Sequence, residues 1–275
     1  FPYFCNKVNK KTTDITMKNV FLESEVPYGK LAKLGISKEK YLSMPKELLE
    51  PLMSGKVTPL IQAHVRSQSG AEYSIPMKLQ MLRDRDGRIL LMTYPVRREI
   101  ANDMRLNNSE LDRLRHGEVL RKEINDNGVR RMQFIQLDRE TKSLIKRNIG
   151  TLKLPEQMAQ LEKIKDISLG QNQKDAIREG KPVELEVGDQ KVTVGVDARE
   201  PQGFKIVNGD IDEWNKRQKI RFDEANDGFM GYVMTDKNRW EYQQVVNRLE
   251  MHNSLKTEER KEKKEEHKMG GGLEI

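Results

Sequence analysis

A helical run that closes on Leu/Ile-x-x-Gly and then gives way to strand-like sequence occurs three times, at Leu52-Met-Ser-Gly55, Leu114-Arg-His-Gly117 and Ile177-Arg-Glu-Gly180. The glycines are spaced by 62 residues (55 to 117) and then by 63 (117 to 180), and each leads to a strand-opening valine: Val57, Val119, Val183. Units of that size barely sustain a core alone and must lean on their neighbours. Such arrays work through a shared surface rather than one catalytic pocket. The expected fold class is α+β: three tandem αβββ units, each a helix plus a three-stranded antiparallel meander of about 62 residues, with a helical C-terminal cap.

The expected division is a flexible leader over 1–20, repeat unit 1 over 21–105, unit 2 over 106–167, unit 3 over 168–210, a mostly helical cap over 211–250 and a charged tail over 251–275. In unit 1, Ser37 caps a short helix, Leu48, Leu49 and Leu52 form one apolar helix face, and Gly55 stops the chain of turns. Tyr73, Ile75, Met77, Leu79 and Met81 alternate strictly, as a half-buried strand does, and Asp86-Gly87 suits a tight hairpin. In unit 2, Asn108 or Ser109 caps a helix carrying Leu111 and Leu114. In unit 3 the helix covers about Gln171 to Glu179. Beyond Asp210, Trp214, Gln218 and Phe222 share one side of a charged helix, Phe229 to Thr235 reads as a short strand, and Tyr242, Val245, Val246 and Leu249 fall at helical spacing.

Charged residues make up 34% of the chain, above the usual ~25%, and aromatics only 6%. The net charge of +7 divides into +10 over residues 1–150 and −3 over the rest. A basic half of this kind suits a polyanion, because phosphate neutralisation supplies most non-specific nucleic-acid affinity. No apolar stretch approaches the ~20 residues that span a bilayer, and the opening lacks a signal-peptide core. A cytoplasmic chain with no membrane partner is expected. Cys5 is the single cysteine, so no internal disulfide or thiolate metal cage can form.

The search for chemistry returns little. His64, His116, His252 and His267 never take the spacing of a helical metal pair, and Asp84-Arg-Asp86-Gly87 reads as a hairpin turn rather than a calcium loop. No phosphate-cradling glycine loop or nucleophile elbow occurs. No catalytic residue, metal or cofactor is expected, and the chain reads as a non-enzyme. His116 is assigned to the carbonyls at a helix C-terminus.

Basic residues supply the one chemical lead. Arg83, Arg85, Arg88, Arg97 and Arg98 gather around the second hairpin of unit 1, and Arg130, Arg131, Arg139, Lys142, Lys146 and Arg147 around that of unit 2. With the units stacked in parallel they form a nucleic-acid-binding stripe, Tyr94 and Phe134 offering stacking faces. The competing reading is a solvated sheet face neutralised by Asp84, Asp86, Asp138 and Glu140.

Two stretches, Leu34-Gly-Ile-Ser-Lys-Glu-Lys-Tyr41 and Leu52-Met-Ser-Gly-Lys-Val-Thr-Pro-Leu-Ile61, resemble an uncharacterised domain carried by conjugative and other mobile elements of anaerobic gut bacteria. Residues 106–150, with Gly117-Glu-Val119 and Ile135-Gln-Leu-Asp138-Arg-Glu-Thr141, resemble the repeat domain that usually follows it, also of unknown function. The resemblance covers residues 22–210 and implies a DNA-processing context. The expected function is a non-enzymatic accessory module that binds DNA or RNA weakly through units 1 and 2 or docks a DNA-processing protein. The alternative is a protein-interaction scaffold without nucleic-acid contact; oligomeric state is left open.

Overall fold

A computed structural model describes residues 20–67, 70–84, 86–126, 128–152, 158–159, 162, 168–218, 228–235, 237 and 239–246. The expected leader up to residue 19, Cys5, Arg85, Phe222, Leu249, His252, His267 and the 251–275 tail lie outside the described residues.

The architecture is α+β and mostly strand. Short helices α1 (Tyr28–Ala32) and α2 (Lys38–Leu42) precede α3 (Lys46–Ser54), then β1 (Ile61–Arg66), β2 (Glu72–Arg83) and β3 (Ile89–Pro95). Next come α4 (Asn108–Arg115), β4 (Leu120–Asp126), β5 (Val129–Asp138), β6 (Ser143–Asn148) and the short α5 (Ile149–Leu152). Helix α6 (Gln171–Arg178) leads to β7 (Val183–Val187), β8 (Gln190–Val196) and β9 (Phe204–Asn208). Helix α7 (Ile211–Gln218), β10 (Phe229–Met234) and β11 (Trp240–Val246) follow.

Local chemistry explains the helix boundaries. Ser37 Oγ accepts from Lys40 N at the start of α2. Helix α4 is capped by Asn107 rather than by Asn108 or Ser109, because Asn107 and Glu110 exchange side-chain and backbone bonds of 2.9 Å in both directions, and only this spacing forms that box. Helices α3, α4 and α6 end alike. Gly55, Gly117 and Gly180 take φ of 79°, 89° and 85°. The next N–H in each case reaches back five residues, Lys56 to Pro51 O, Glu118 to Arg113 O and Lys181 to Ala176 O. A left-handed glycine closes a helix in this way without Cβ strain. Gly180 is also crowded, since a Cβ there would stand 3.2 Å from Val119 O. Gly180→Ala should destabilise the fold by more than about 1 kcal/mol in urea unfolding, a loss below ~0.3 kcal/mol contradicting this account.

Strands β4-β5-β6 and β7-β8-β9 form two three-stranded sheets with antiparallel neighbours throughout. The first sheet has five strands in the order β11-β10-β1-β2-β3, and β10 runs parallel to β1 with Ile61 opposite Tyr232. The expected helix over Tyr242, Val245 and Val246 is therefore strand β11, antiparallel to β10. Aromatic and β-branched residues fit a pleated surface, and a ladder partner overrides a helical spacing this short. Helix α7 does form, with Trp214 and Gln218 buried on one side.

Packing ties the sheets together. Helices α1–α3 cover one face of the first sheet, with Leu31, Leu48, Leu52, Ile61, Leu79 and Met81 at the centre. In β5 alternate residues serve two cores: Ile135 packs with Leu114 and Leu120 under α4, while Phe134 joins Ile177, Val194 and Phe204 of the third sheet. Tyr94, Ile145 and Ala198 meet where all three sheets converge.

Candidate functional site

The members of the expected arginine stripe do not share one environment: Arg88 and Arg130 are exposed, whereas others are covered. Arg147 is 7% exposed. Its Nη1 donates to Ala198 O at 3.4 Å and Glu200 O at 3.0 Å, and its Nη2 to Pro201 O at 2.8 Å. Burial pulls its pKa down to about 10, against the favourable fields of Tyr94 and Asp197, so the guanidinium stays charged at neutral pH. Its neighbours in β6 give the reason. Ser143, Ile145 and Arg147 share a face, and that face is buried. Tyr94 and Phe134, the expected stacking faces, are also buried. Other members are tied to acids: Arg83 Nη2 meets Glu25 at 2.8 Å, Arg88 meets Asp84 and Asp86, and Arg130 lies 3.8 Å from Glu123. Arg97 is exposed, while Arg98, Arg131, Arg139, Lys142 and Lys146 are half-buried. Lys142 Nζ donates to Arg98 O at 2.8 Å and Arg97 N to Thr141 O at 2.8 Å, so these two segments do come together. Arg85 lies outside the described residues.

Around Arg147 lies a buried polar junction built by other residues. Lys78 of β2 places its Nζ 3.1 and 3.0 Å from the two Asp138 oxygens and 2.6 Å from Glu140. Thr141 Oγ1 donates to Asp138 at 2.9 Å. Tyr94 donates to Gln80, which donates in turn to Gly55 O, while Gln136 accepts from Ala198 N and donates to Gln218. Arg199 forks onto Asp197 at 2.8 and 2.9 Å and reaches Gln218 at 2.6 Å. Burial opposes the Asp197 charge, yet the Arg199 guanidinium and backbone hold its carboxyl below the usual range. The hub is the β8–β9 loop, whose residues 197–201 contact the other two sheets. These polar groups answer one another, which suits a joint.

A cleft of about 200 Å³ opens where α4, α6 and α7 converge, lined by His116, Gly117, Glu118, Gly180, Lys181 and Trp214 among others. His116 Nδ1 lies 2.7 Å from Asp112 O, at the end of its own helix. Arg113 is bound to Glu118 at 2.7 Å. Among the described residues no group of three or more His, Cys, Asp or Glu could hold a metal ion, and no helix is long and apolar enough to cross a membrane.

A different surface gathers cations and aromatic rings. Between Tyr28 and Lys46 stand Lys30, Lys33, Lys38, Lys40 and Lys46, with Glu39 the sole acid in that stretch. Lys46 pairs with Glu50 at 3.3 Å, Lys30 Nζ donates to Ile89 O of β3 and Lys40 Nζ to Gly35 O, while Lys33 and Lys38 are exposed. Trp240 Nε1 donates to Lys40 O at 3.0 Å, pinning the start of β11 against α2. Exposed Lys237 and Arg239 belong to the β10–β11 turn, which Thr235 N closes onto Arg239 O. Lys38 Nζ stands 5.3 Å over the Tyr28 ring, and Tyr28 meets Tyr41 edge-on. Tyr232 and Tyr242 pack at 4.9 Å between centroids. The lysine run was visible in the sequence; its partner strand, 200 residues away, was not.

Residues 21–105 match the family described as "Protein of unknown function (DUF4099)". No curated protein matches the chain, and no solved structure does.

Proposed function

We propose that this chain is a non-enzymatic accessory module that binds nucleic acid weakly, built as three tandem αβββ units over 21–105, 106–167 and 168–210. The observation that carries the reading is the corner where helix α2, with its exposed Lys38, meets the start of β11 through the Lys40 carbonyl and Trp240, next to the exposed Lys237 and Arg239 of the β10–β11 turn. Clustered, solvated cations attract a phosphate backbone without reading sequence. The resemblance to domains of mobile elements, and the DNA-handling context it implies, agree with such a role in the cytoplasm. Within the expected stripe, Arg147 is buried and Arg83 and Arg88 face acids, so the reading does not lean on these three.

A gel-shift series with DNA and RNA at rising salt tests this. Affinity should be micromolar or weaker and should fall linearly on a log–log plot, by about 0.7–0.9 in slope for each phosphate contact. Absence of any shift at low salt would leave the protein-interaction scaffold as the reading to pursue.

A further inference from the structure

Beneath the general attraction for phosphate lies a geometric detail that selects among nucleic acids. In an antiparallel pair, residues directly opposite share a face. Met230 pairs with Gln244, Tyr232 with Tyr242, and Met234 with Trp240, so these six side chains lie on one face of the β10–β11 hairpin. That face is the one turned toward the helices, because Tyr232 and Trp240 pack against the core that α1–α3 cover. Trp240 is anchored to Lys40 O, and Tyr242, two residues further along β11, emerges about 7 Å beyond it. The Tyr242 ring is 58% exposed and is backed by Tyr232, with Met230, 44% exposed, on the same face. Glu241 alternates to the opposite face, opposite Val233. The nearby acid is Glu47, which together with burial and Tyr242 raises the Tyr232 pKa.

We propose that Tyr242 is a stacking platform for a base of single-stranded nucleic acid, with Lys237 and Arg239 of the same hairpin holding its phosphates. This rests on the nucleic-acid reading above and narrows it. An exposed ring backed by a second ring offers a π-face at small entropic cost, since two χ angles fix it. Bases inside a duplex are already stacked on each other and show only their edges, so the ring adds nothing to duplex binding. In a single strand every base has a free face, and stacking tolerates all four. Lys237 and Arg239 attract either form.

The test is fluorescence anisotropy at low salt with a labelled thymidine oligonucleotide and, separately, a labelled hairpin duplex, using the full chain. The wild type should bind the single strand at least tenfold more tightly. Tyr242→Ala should weaken single-strand binding about tenfold and leave the duplex unchanged, while Tyr242→Trp should keep or improve it. Arg239→Gln should weaken both and lower the salt slope by close to one contact. Equal affinity for the two probes, or a Tyr242→Ala variant that binds the single strand like wild type, overturns the stacking platform and leaves the general reading intact. Failure of both probes to bind overturns both. If Tyr242→Ala fails to fold, loss of the single-strand preference in Tyr242→Leu, which keeps apolar bulk without an aromatic face, decides the same question, and its persistence overturns the proposal.

Discussion

Replacing Lys78 with methionine should destabilise the fold by about 3–5 kcal/mol, because it leaves the buried Asp138 carboxylate without its cation. Methionine keeps all but the last atom of the side chain's length and its apolar bulk, so the loss reports chiefly charge. Asp138 is 0% exposed and would retain Thr141 as its side-chain donor. The reverse change, Asp138→Asn, should cost less, since Lys78 keeps Glu140 at 2.6 Å and that carboxylate is partly solvated. Combining Lys78→Met with Asp138→Asn should recover more than half of the first loss, as no buried charge then stands alone. Urea unfolding of the three variants measures this. A Lys78→Met penalty under ~1 kcal/mol, or a double variant worse than the sum of its parts, would sink the assignment of this pair as an unscreened joint between the first two sheets.

Arg147→Ala should cost about 3 kcal/mol or more. Of the three loop carbonyls that accept from this guanidinium, Ala198 O keeps Gln80 and Glu200 O keeps Gly203 N, so Pro201 O is the one stripped of its donor, at about 1–3 kcal/mol, and the void left by the buried side chain adds the rest. Relaxation and water entry reduce the simple sum. Arg147→Lys should rescue little, because a single ammonium cannot span carbonyls at Ala198, Glu200 and Pro201 with the fork that a planar guanidinium provides. Hydrogen exchange should speed up across residues 197–203 before it does elsewhere. Nucleic-acid affinity of the protein that remains folded should be unchanged. A variant with wild-type stability and weakened binding would instead return Arg147 to the interface.

Helix ends and meanders were legible in the sequence because their causes are local. Gly55, Gly117 and Gly180 announce left-handed closures, and the run from Tyr73 to Met81 is strand β2, but residues 77–81 are buried on both faces and Tyr73 is exposed, so the half-buried pattern expected there does not hold: Lys78 and Gln80 enter the joint with the other sheets. Strand β11 was missed because Tyr242, Val245 and Val246 satisfy a helical spacing over too few residues to outweigh a ladder. Its partner β10 is itself placed by β1, far back in the chain. Arg147 was misplaced through its company, Lys146 and Arg147 reading together as a wet pair. The period of two already set Arg147 beside Ile145, a signal that outranks charge once a strand is recognised. The carbonyls that receive it come from a loop some fifty residues later, which no local pattern reveals.

The parallel join of β10 to β1 also fixes when the first sheet can be finished. Strand β1 ends at residue 66 and β10 starts at residue 229, so about 160 residues must be made between them. At roughly 5–20 residues per second, a ribosome needs on the order of 8–30 s to supply them. Throughout that interval β1 is paired with β2 on one side alone, and the Leu60 carbonyl that later receives Tyr232 N–H is open. Nascent chains on one polysome therefore carry identical unfilled edges at high local concentration, and a β10 released by one ribosome can reach the β1 of its neighbour before its own. Slow translation between residues 66 and 229 thus lengthens the time for which this edge stands unpaired.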